Sequence, residues 1–323
     1  MTAIAIARPL AEEFGERILA ADPRVKLVPL RGDEGEPGLD EVEIAVSLHF
    51  EGALTFAELI ERMPRLRWIH STGAGMDDFV SSSLAQRGIV VTNSSGIWSP
   101  AMVEFAIAGM VAIVRDFKQL FADQEARRWA HSPVAGRELR GTRLGIVGYG
   151  ATGRALATAC RALGMEVWAT RRKPSVDVVE PIDRLLPLED LHELLRESDH
   201  VVVLASLNSS SRRLLGREEL GVMKRGAVLV NLSRGGVVDP DALLDALSDG
   251  HLAGAVIDVT DPEPLPAESP LWSAPNLILS PHVAGNSPEG LVRSIELFCR
   301  NLPLFLDGHV DRMGNLVDLA DHL

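Results

Sequence analysis

The chain has 323 residues, 46% of them hydrophobic and 24% charged, which is enough for about two domains of ordinary globular composition and excludes a disordered or collagen-like protein. Its 45 acidic and 32 basic side chains give a formal charge of −13, a field that repels nucleic-acid backbones and anionic membrane surfaces, so neither is expected as a partner and a small anionic ligand needs a local cluster of cations. Two cysteines, Cys160 and Cys299, lie far apart without metal-ligand spacing, which excludes a disulfide scaffold, suits a reducing compartment and gives no reason to expect a metal.

At the N-terminus, residues 1–8 carry no basic region ahead of the apolar stretch and run straight into Pro9, so they read as a first buried strand rather than a signal peptide. From there β-rich runs alternate with helical patterns, the signature of βαβ units around parallel sheets. Strands are expected at 4–7, 25–30, 44–47, 68–70 and 90–92, and in a second set at 143–147, 166–170, 200–204, 228–231, 254–258 and 277–280. Between the sets, 100–120 reads as one long helix, with Val103, Ile107, Met110, Val111 and Val114 at helical spacing, then a polar stretch through Trp129 and Pro133. A domain boundary is placed near the start of that helix. Its most apolar part, 103–114, is 12 residues long, short of the ~20 needed to cross a bilayer, so no span is predicted and the cytoplasm is the expected compartment. Ser209, Ser210 and Ser211 form a polar turn, and 262–270 is a proline-rich loop.

The strongest local motif is Gly148-Tyr149-Gly150-Ala151-Thr152-Gly153, a G-x-G-x-x-G that follows one predicted strand and opens a predicted helix, 154–163. In that context the first glycine permits a tight turn, the second lets backbone approach a pyrophosphate, and the third lets helix pack on strand, while the helix N-terminus stabilises phosphate charge. An NAD site should place an acid at the end of the next strand, to accept hydrogen bonds from the ribose hydroxyls. Here that strand ends in Thr170-Arg171-Arg172-Lys173, a cation cluster of the kind that recognises a 2′-phosphate, so NADP(H) is the expected cofactor, with NAD(H) second. The alternative is a solvated basic turn.

Farther on, Asn231 to Asp239 with Arg234, Ile257-Asp258-Val259 with Glu263-Pro264, and Ser280-Pro281-His282 each follow an apolar run. That puts their polar residues at the carboxyl edge of a parallel sheet, where open α/β sheets bind ligands. Hydride chemistry on a carbonyl needs a proton donor near neutral pH, a carboxylate to orient it, and a fixed cation for the substrate carboxylate. His282, Glu263 and Arg234 fit those three roles. Singly, each also has a plain structural explanation: a paired arginine, a solvated acid and a satisfied core histidine.

With these motifs in order, and with Ser71-Thr72-Gly73-Ala74-Gly75-Met76-Asp77, Val103-Glu104, Arg137-Glu138-Leu139, Met223 to Ala227 and Asn301-Leu302, the chain resembles the D-isomer-specific 2-hydroxyacid dehydrogenases over nearly its whole length. The resemblance implies an α/β fold of two doubly wound parallel-sheet domains. A Rossmann coenzyme domain at 103–286 is inserted in a flavodoxin-like substrate-binding domain made of 1–102 and 287–323, with a cleft between them. It implies Arg234, Glu263 and His282 as the catalytic triad. It gives the substrate to the backbone amides of Gly73, Ala74 and Gly75, which hold its carboxylate, and to Arg234 and His282. It gives the cofactor to Tyr149, Gly150, Ala151, Thr152, Gly153, Arg171, Arg172, Ser206, Asp258 and Gly285, with Asp258 on the nicotinamide carboxamide. It implies a homodimer assembled through the coenzyme domains.

Ser206 stands where family members usually carry proline, and Thr260 where they carry an aromatic residue, which unsettles contacts near those loops. Glu263 argues against the formate dehydrogenase branch, which resembles this fold but has glutamine in that role. The basic run resembles that of NADP-preferring glyoxylate and hydroxypyruvate reductases, so the expected reaction is reduction of a small 2-oxo acid. The competing expectation is an NAD(P)-sensing, corepressor-like binding protein. The chain closes soon after the expected return helix, and the lack of an added tail favours the enzyme. His49, Phe50, Trp98 and Trp272 are candidates for lining the substrate side-chain pocket, although an aromatic residue is more often core than selector.

Overall fold

The computed structural model describes residues 1–31, 37–46, 56–75, 84, 86–130, 136–172 and 181–319. Ser47, His49, Phe50, Met76, Asp77, Pro133 and Lys173, all raised above, lie outside the described residues. Two compact units divide the chain, Met1–Trp98 with Ser287–Leu323 and Ser99–Asn286. The division falls four residues ahead of the expected 102/103 boundary because Ser99 already opens the helix Ser99–Val114, whose Val103, Ala106, Met110 and Val114 pack into the core of the second unit.

In the first unit, β1 (Thr2–Ala7), β2 (Val25–Leu30), β3 (Val42–Val46), β4 (Trp68–His70) and β5 (Val90–Thr92) form a parallel sheet in the order β2-β1-β3-β4-β5. Ile4 and Ile6 face one core layer, with Phe14, Ile18 and the Phe298, Leu302 and Phe305 stripe of the helix Pro288–Leu306. Ala5 and Ala45 face the other, with Leu59, Met63 and Leu84. Burial on both faces is why these strands read as continuous apolar runs, and each fully buried Leu, Ile or Phe contributes ~1.5–3 kcal/mol. The returning helix is fixed at its start by Ser287, whose side chain accepts the Gly290 N–H at 3.0 Å, and by Pro288 in the first turn.

The second unit carries β6 (Arg143–Val147), β7 (Glu166–Arg171), β8 (Arg184–Pro187), β9 (His200–Val203), β10 (Ala227–Asn231), β11 (Leu252–Ile257) and β12 (Leu277–Leu279), all parallel, in the order β12-β11-β10-β9-β6-β7-β8. Strand order reverses between β6 and β9, which makes their carboxyl ends the switch point where doubly wound sheets take ligands. β8 was absent from the sequence expectation: it is four residues long, begins with Arg184 and ends at Pro187, the composition of a sheet edge.

One predicted element is corrected. Residues 100–120 are not a single helix; the first ends at Val114 and a second, Phe117–Glu125, begins after Asp116, which adopts φ 52°. Aspartate tolerates the left-handed region and its side chain accepts the Gln119 N–H, so the break needs neither glycine nor proline and leaves no mark in the hydrophobic pattern. The glycine-motif helix also starts earlier than expected, running Ala151–Ala162.

Candidate active site

The site in the second unit is built from strand ends. After Val147 the chain turns at Gly148 (φ 96°), where a Cβ would lie 2.5 Å from the Ala205 nitrogen, so a hydrogen is required for the turn to pass the segment leaving β9. The N–H groups of Gly148 and Tyr149 donate to Thr170 O at 3.3 and 3.0 Å, tying the turn to the end of β7. Gly153 is wedged against Gly148 O and Ile146, the close helix-to-strand approach expected of the third glycine. Gly150 is different: a Cβ there would meet nothing within 4 Å, so the turn leaves open space in front of the helix N-terminus. That combination of open backbone and helix N-terminal amides fits a pyrophosphate.

Other members of the expected cofactor set divide by exposure. The Tyr149 ring is buried in the core and its N–H is taken by Thr170 O, which leaves its carbonyl, and Thr152 Oγ1 is 2.8 Å from Ser99 Oγ. Arg171 and Arg172 are exposed at the end of β7, and among the described residues neither side chain makes a hydrogen bond or ion pair. Ser206 is exposed, its carbonyl accepting the Ser211 hydroxyl at 2.7 Å, and Gly285 is half-buried beside Ala284.

On the other side of the sheet centre, Asn231 ends β10 and holds the turn that carries Arg234. Its Oδ1 accepts from Ser233 N–H and Oγ–H, and its Nδ2 donates to Arg234 O at 3.1 Å. Arg234 is half-buried and its Nη1 donates to Ser233 O at 2.8 Å. Next to it, Gly235 lies flat against the backbone of Thr260 and Asp261. Thr260 in turn gives its N–H to Glu263 Oε1 at 2.8 Å, and its hydroxyl donates to Pro262 O.

Glu263 Oε2 lies 2.9 Å from His282 Nδ1. A carboxylate has no proton to give, so Nδ1–H is the donor and Nε2 is left for a reacting group. His282 sits at φ 56° and gives its backbone N–H to Asp258 O at 2.7 Å. Asp258, 3% exposed, braces the same turn: Oδ1 accepts from the Ser280 hydroxyl (2.6 Å) and the Val283 N–H (2.9 Å), and Oδ2 accepts the Ala284 N–H (3.0 Å). Three of the roughly four acceptor positions of this carboxylate are thus used by its own chain, leaving one at Oδ2. The supporting roles of Asn231, Thr260 and Ser280 were not assigned from sequence; each lies next to a candidate residue, and a short polar side chain at a strand end is the signal available.

In the first unit, Gly73 and Ala74 follow β4 in a loop whose carbonyls are gripped by Ser94 N–H and Asn93 Nδ2. The Gly73 N–H is held by Ser71 Oγ at 3.2 Å, while among the described residues no acceptor takes the N–H of Ala74 or Gly75. Trp98 is half-buried: Nε1 donates to Thr72 O at 2.8 Å and the ring lies where a Cβ on Gly290 would come within 2.4 Å. In the second unit, Trp272 is exposed, its Nε1 bonded to Pro266 O.

Elsewhere in the second unit, burial lowers His200 to about 4 and raises Cys160 to about 12, which leaves that thiol inert. Among the described residues no group of three or more His, Cys, Asp or Glu side chains is placed to hold a metal, and no helix is long and apolar enough to cross a membrane.

Comparison with known proteins follows the same outline. The sequence profile described as "D-isomer specific 2-hydroxyacid dehydrogenase, NAD binding domain" matches residues 107–284. A glyoxylate reductase from Thermococcus litoralis is 33% identical over 310 residues, 93% of this chain and 90% of that one. Among solved structures, a D-isomer-specific 2-hydroxyacid dehydrogenase family protein from Aeromonas salmonicida superposes with a TM-score of 0.86 at 26% identity, covering 98% of this chain and 99% of that one. A D-isomer-specific 2-hydroxyacid dehydrogenase from Xanthobacter autotrophicus, solved with NADPH and MES, gives 0.82 at 28% identity, covering 100% and 99%.

Proposed function

Because this chain belongs to the D-isomer-specific 2-hydroxyacid dehydrogenase family, we propose that it reduces a small 2-oxo acid, glyoxylate or hydroxypyruvate foremost, to the D-2-hydroxy acid, with NADPH preferred over NADH. The observation that carries the reading is the Glu263–His282 pair, set on a turn braced by Asp258 in the same unit as the glycine turn. The bound nicotinamide supplies a hydride to the carbonyl carbon.

Everything else falls to the protein. Gly150, Ala151 and the following amides hold the pyrophosphate, with Tyr149 fixing the turn through its N–H to Thr170 O and Thr152 and Gly153 completing the helix start. Asp258 keeps one acceptor position for the carboxamide, with Ser206 and Gly285 bordering that end. Arg171 and Arg172 take the 2′-phosphate; both are exposed, and among the described residues neither guanidinium is committed and no acid stands at the end of β7 to repel it. The Ala74 and Gly75 amides, with Gly73 shaping their turn, take the substrate carboxylate, and Arg234 binds its carbonyl and carboxylate oxygens. His282 Nε2–H gives a proton to the forming alkoxide while Glu263 fixes the ring through Nδ1–H. Arg234 stabilises the same developing charge.

This reading includes a homodimer, supported by the exposed apolar side chains of Leu120 and Phe121 on the helix Phe117–Glu125. The test is kcat/KM for glyoxylate, hydroxypyruvate, pyruvate and phenylpyruvate with each coenzyme, read as loss of reduced-nicotinamide absorbance. Turnover with NADPH supports it; a clear NADH preference removes the role given to Arg171 and Arg172; tight coenzyme binding without turnover of any substrate returns the sensing protein.

A further inference from the structure

Beneath the loop that carries Gly73, Ala74 and Gly75 lies a row of polar side chains with no exposure to solvent: His70, Ser71, Thr92, Ser94 and Ser294 are each 0% exposed. Trp68 Nε1 is 2.9 Å from Thr92 Oγ1, which is 2.9 Å from His70 Nδ1. His70 Nε2 is 3.5 Å from Ser294 Oγ, Ser294 Oγ is 2.7 Å from Ser94 Oγ, and Ser94 Oγ is 3.0 Å from Ser71 O. All six residues belong to the first unit.

The carbonyl end of this row fixes the direction of the serine protons. An indole N–H only donates, so Thr92 Oγ1 accepts from Trp68; a hydroxyl has a second acceptor position as well as its own proton, so at His70 Nδ1 it can take either role, and the ring decides which. A peptide carbonyl only accepts, so Ser94 spends its proton on Ser71 O and accepts from Ser294. Ser294 therefore has no proton left for His70 and accepts from Nε2–H. The serine half therefore puts hydrogen on Nε2, and in the neutral imidazole Nδ1 is then bare and accepts from Thr92 Oγ1. Burial favours that state, lowering the His70 pKa from 6.5 to about 4.

We propose that His70, Ser294 and Ser94 form a one-way hydrogen-bonded relay that sets the position of the 71–75 loop and hence the affinity for the substrate carboxylate. Ser94 is the point of contact: its hydroxyl donates to Ser71 O and its backbone N–H donates to Gly73 O at 2.9 Å, so it grips both sides of the turn before Ala74 and Gly75. Ser294 carries the setting from the helix Pro288–Leu306, and His70 anchors it to β4 and β5 through Thr92. These are positioning residues. They are buried under the loop, and their effect reaches a ligand through the loop amides alone. The inference rests on the proposed role of those amides and adds what holds them in place.

The tests are Ser94→Ala and Ser294→Ala, each deleting one hydroxyl from the relay; the second serves if the first does not fold. KM for the 2-oxo acid and the inhibition constant of oxamate, an unreactive carboxylate of similar shape, rise roughly tenfold, the equivalent of one net hydrogen bond. Over the same comparison kcat falls less than threefold and the NADPH Kd is unchanged. Unchanged KM and oxamate inhibition in both variants, in an enzyme that turns over, overturn the relay and leave the proposed function standing. If no 2-oxo acid is turned over, the proposed function fails, and two other readings still decide the relay. Ring ¹⁵N shifts show His70 protonated at Nε2 and bare at Nδ1 at pH 7, and Ser294→Ala speeds exchange of the residue 94 amide. The opposite tautomer or unchanged exchange overturns it.

Discussion

Gly235 and Thr260 meet backbone to backbone, so closely that a Cβ on Gly235 would lie 2.0 Å from the Thr260 carbonyl carbon and 2.2 Å from its oxygen. Gly235 does not have a positive φ, so sterics rather than backbone torsion demand glycine here. The seam joins the turn that presents Arg234 to the loop that presents Glu263, and through Glu263 to His282.

Gly235→Ala must part that seam. Overpacking of this kind costs ~1–3 kcal/mol of stability, and displacing an acid–base pair by about 1 Å costs on the order of 10² in rate. Thermal unfolding and kcat on the same protein check both: a lower Tm with a hundredfold slower enzyme is expected, and wild-type kcat in a folded variant contradicts the seam.

His282→Ala removes the proposed proton donor and lowers kcat by on the order of 10²–10⁴. Glu263→Gln keeps the shape but puts an NH₂ in place of one carboxylate oxygen, facing either the Thr260 N–H or the His282 Nδ1–H, so kcat falls while coenzyme binding is retained. Stopped-flow reduction with NADPH separates these steps. Unchanged turnover by His282→Ala would remove the acid from the mechanism.

Asp258→Asn tests the brace beneath the histidine turn. Asp258 accepts three hydrogen bonds from Ser280, Val283 and Ala284, and an amide must present its own N–H groups to at least one of those donors. A buried donor left without an acceptor costs ~1–3 kcal/mol, visible as a lower urea midpoint. An Asp258→Asn variant as stable as the parent would show that the turn holds itself.

Arg171→Ala with Arg172→Ala should raise KM for NADPH by roughly 10–100-fold, the scale of one charge-assisted hydrogen bond, and leave KM for NADH nearly unchanged. Equal losses with both coenzymes would assign the pair to something other than the 2′-phosphate.

Stability should fall on mild acidification. His70 and His200 are both lowered from 6.5 to about 4 by burial, opposed in His200 by the neighbouring Asp199. Above pH ~6.5 both rings are neutral folded or unfolded and contribute no pH dependence. Between ~6.5 and ~4 the unfolded chain binds protons that the folded chain excludes, so stability drops by about 1.4 kcal/mol per unit per ring until the folded rings titrate. Urea midpoints at pH 7, 6 and 5 measure the slope, and a flat profile contradicts it.

The sequence announced the two sheets because both are buried on both faces, so β6, β9 and β10 appear as uninterrupted apolar runs, and it announced the glycine turn because Gly148 and Gly153 are each demanded by a close contact in a strand–turn–helix motif. What it concealed depends on encounters between distant segments. Gly235 looks like any turn glycine until Thr260 lies against it. Ser94 and Ser294 are 200 residues apart and gave no sign of sharing a hydrogen bond. Asp116 broke a helix whose apolar spacing continued across it, since a left-handed aspartate alters backbone direction without altering composition.

Gly150 has a consequence for how this protein is altered by mutation. A methyl group there would touch no atom of the chain, and its φ of −110° is open to other residues. Gly150→Ala should therefore fold, melt and express as the parent does, with the defect appearing only when coenzyme is titrated in. A screen that sorts variants by solubility or melting temperature will pass it as neutral, whereas Gly148→Ala, blocked by Ala205, will be discarded at once.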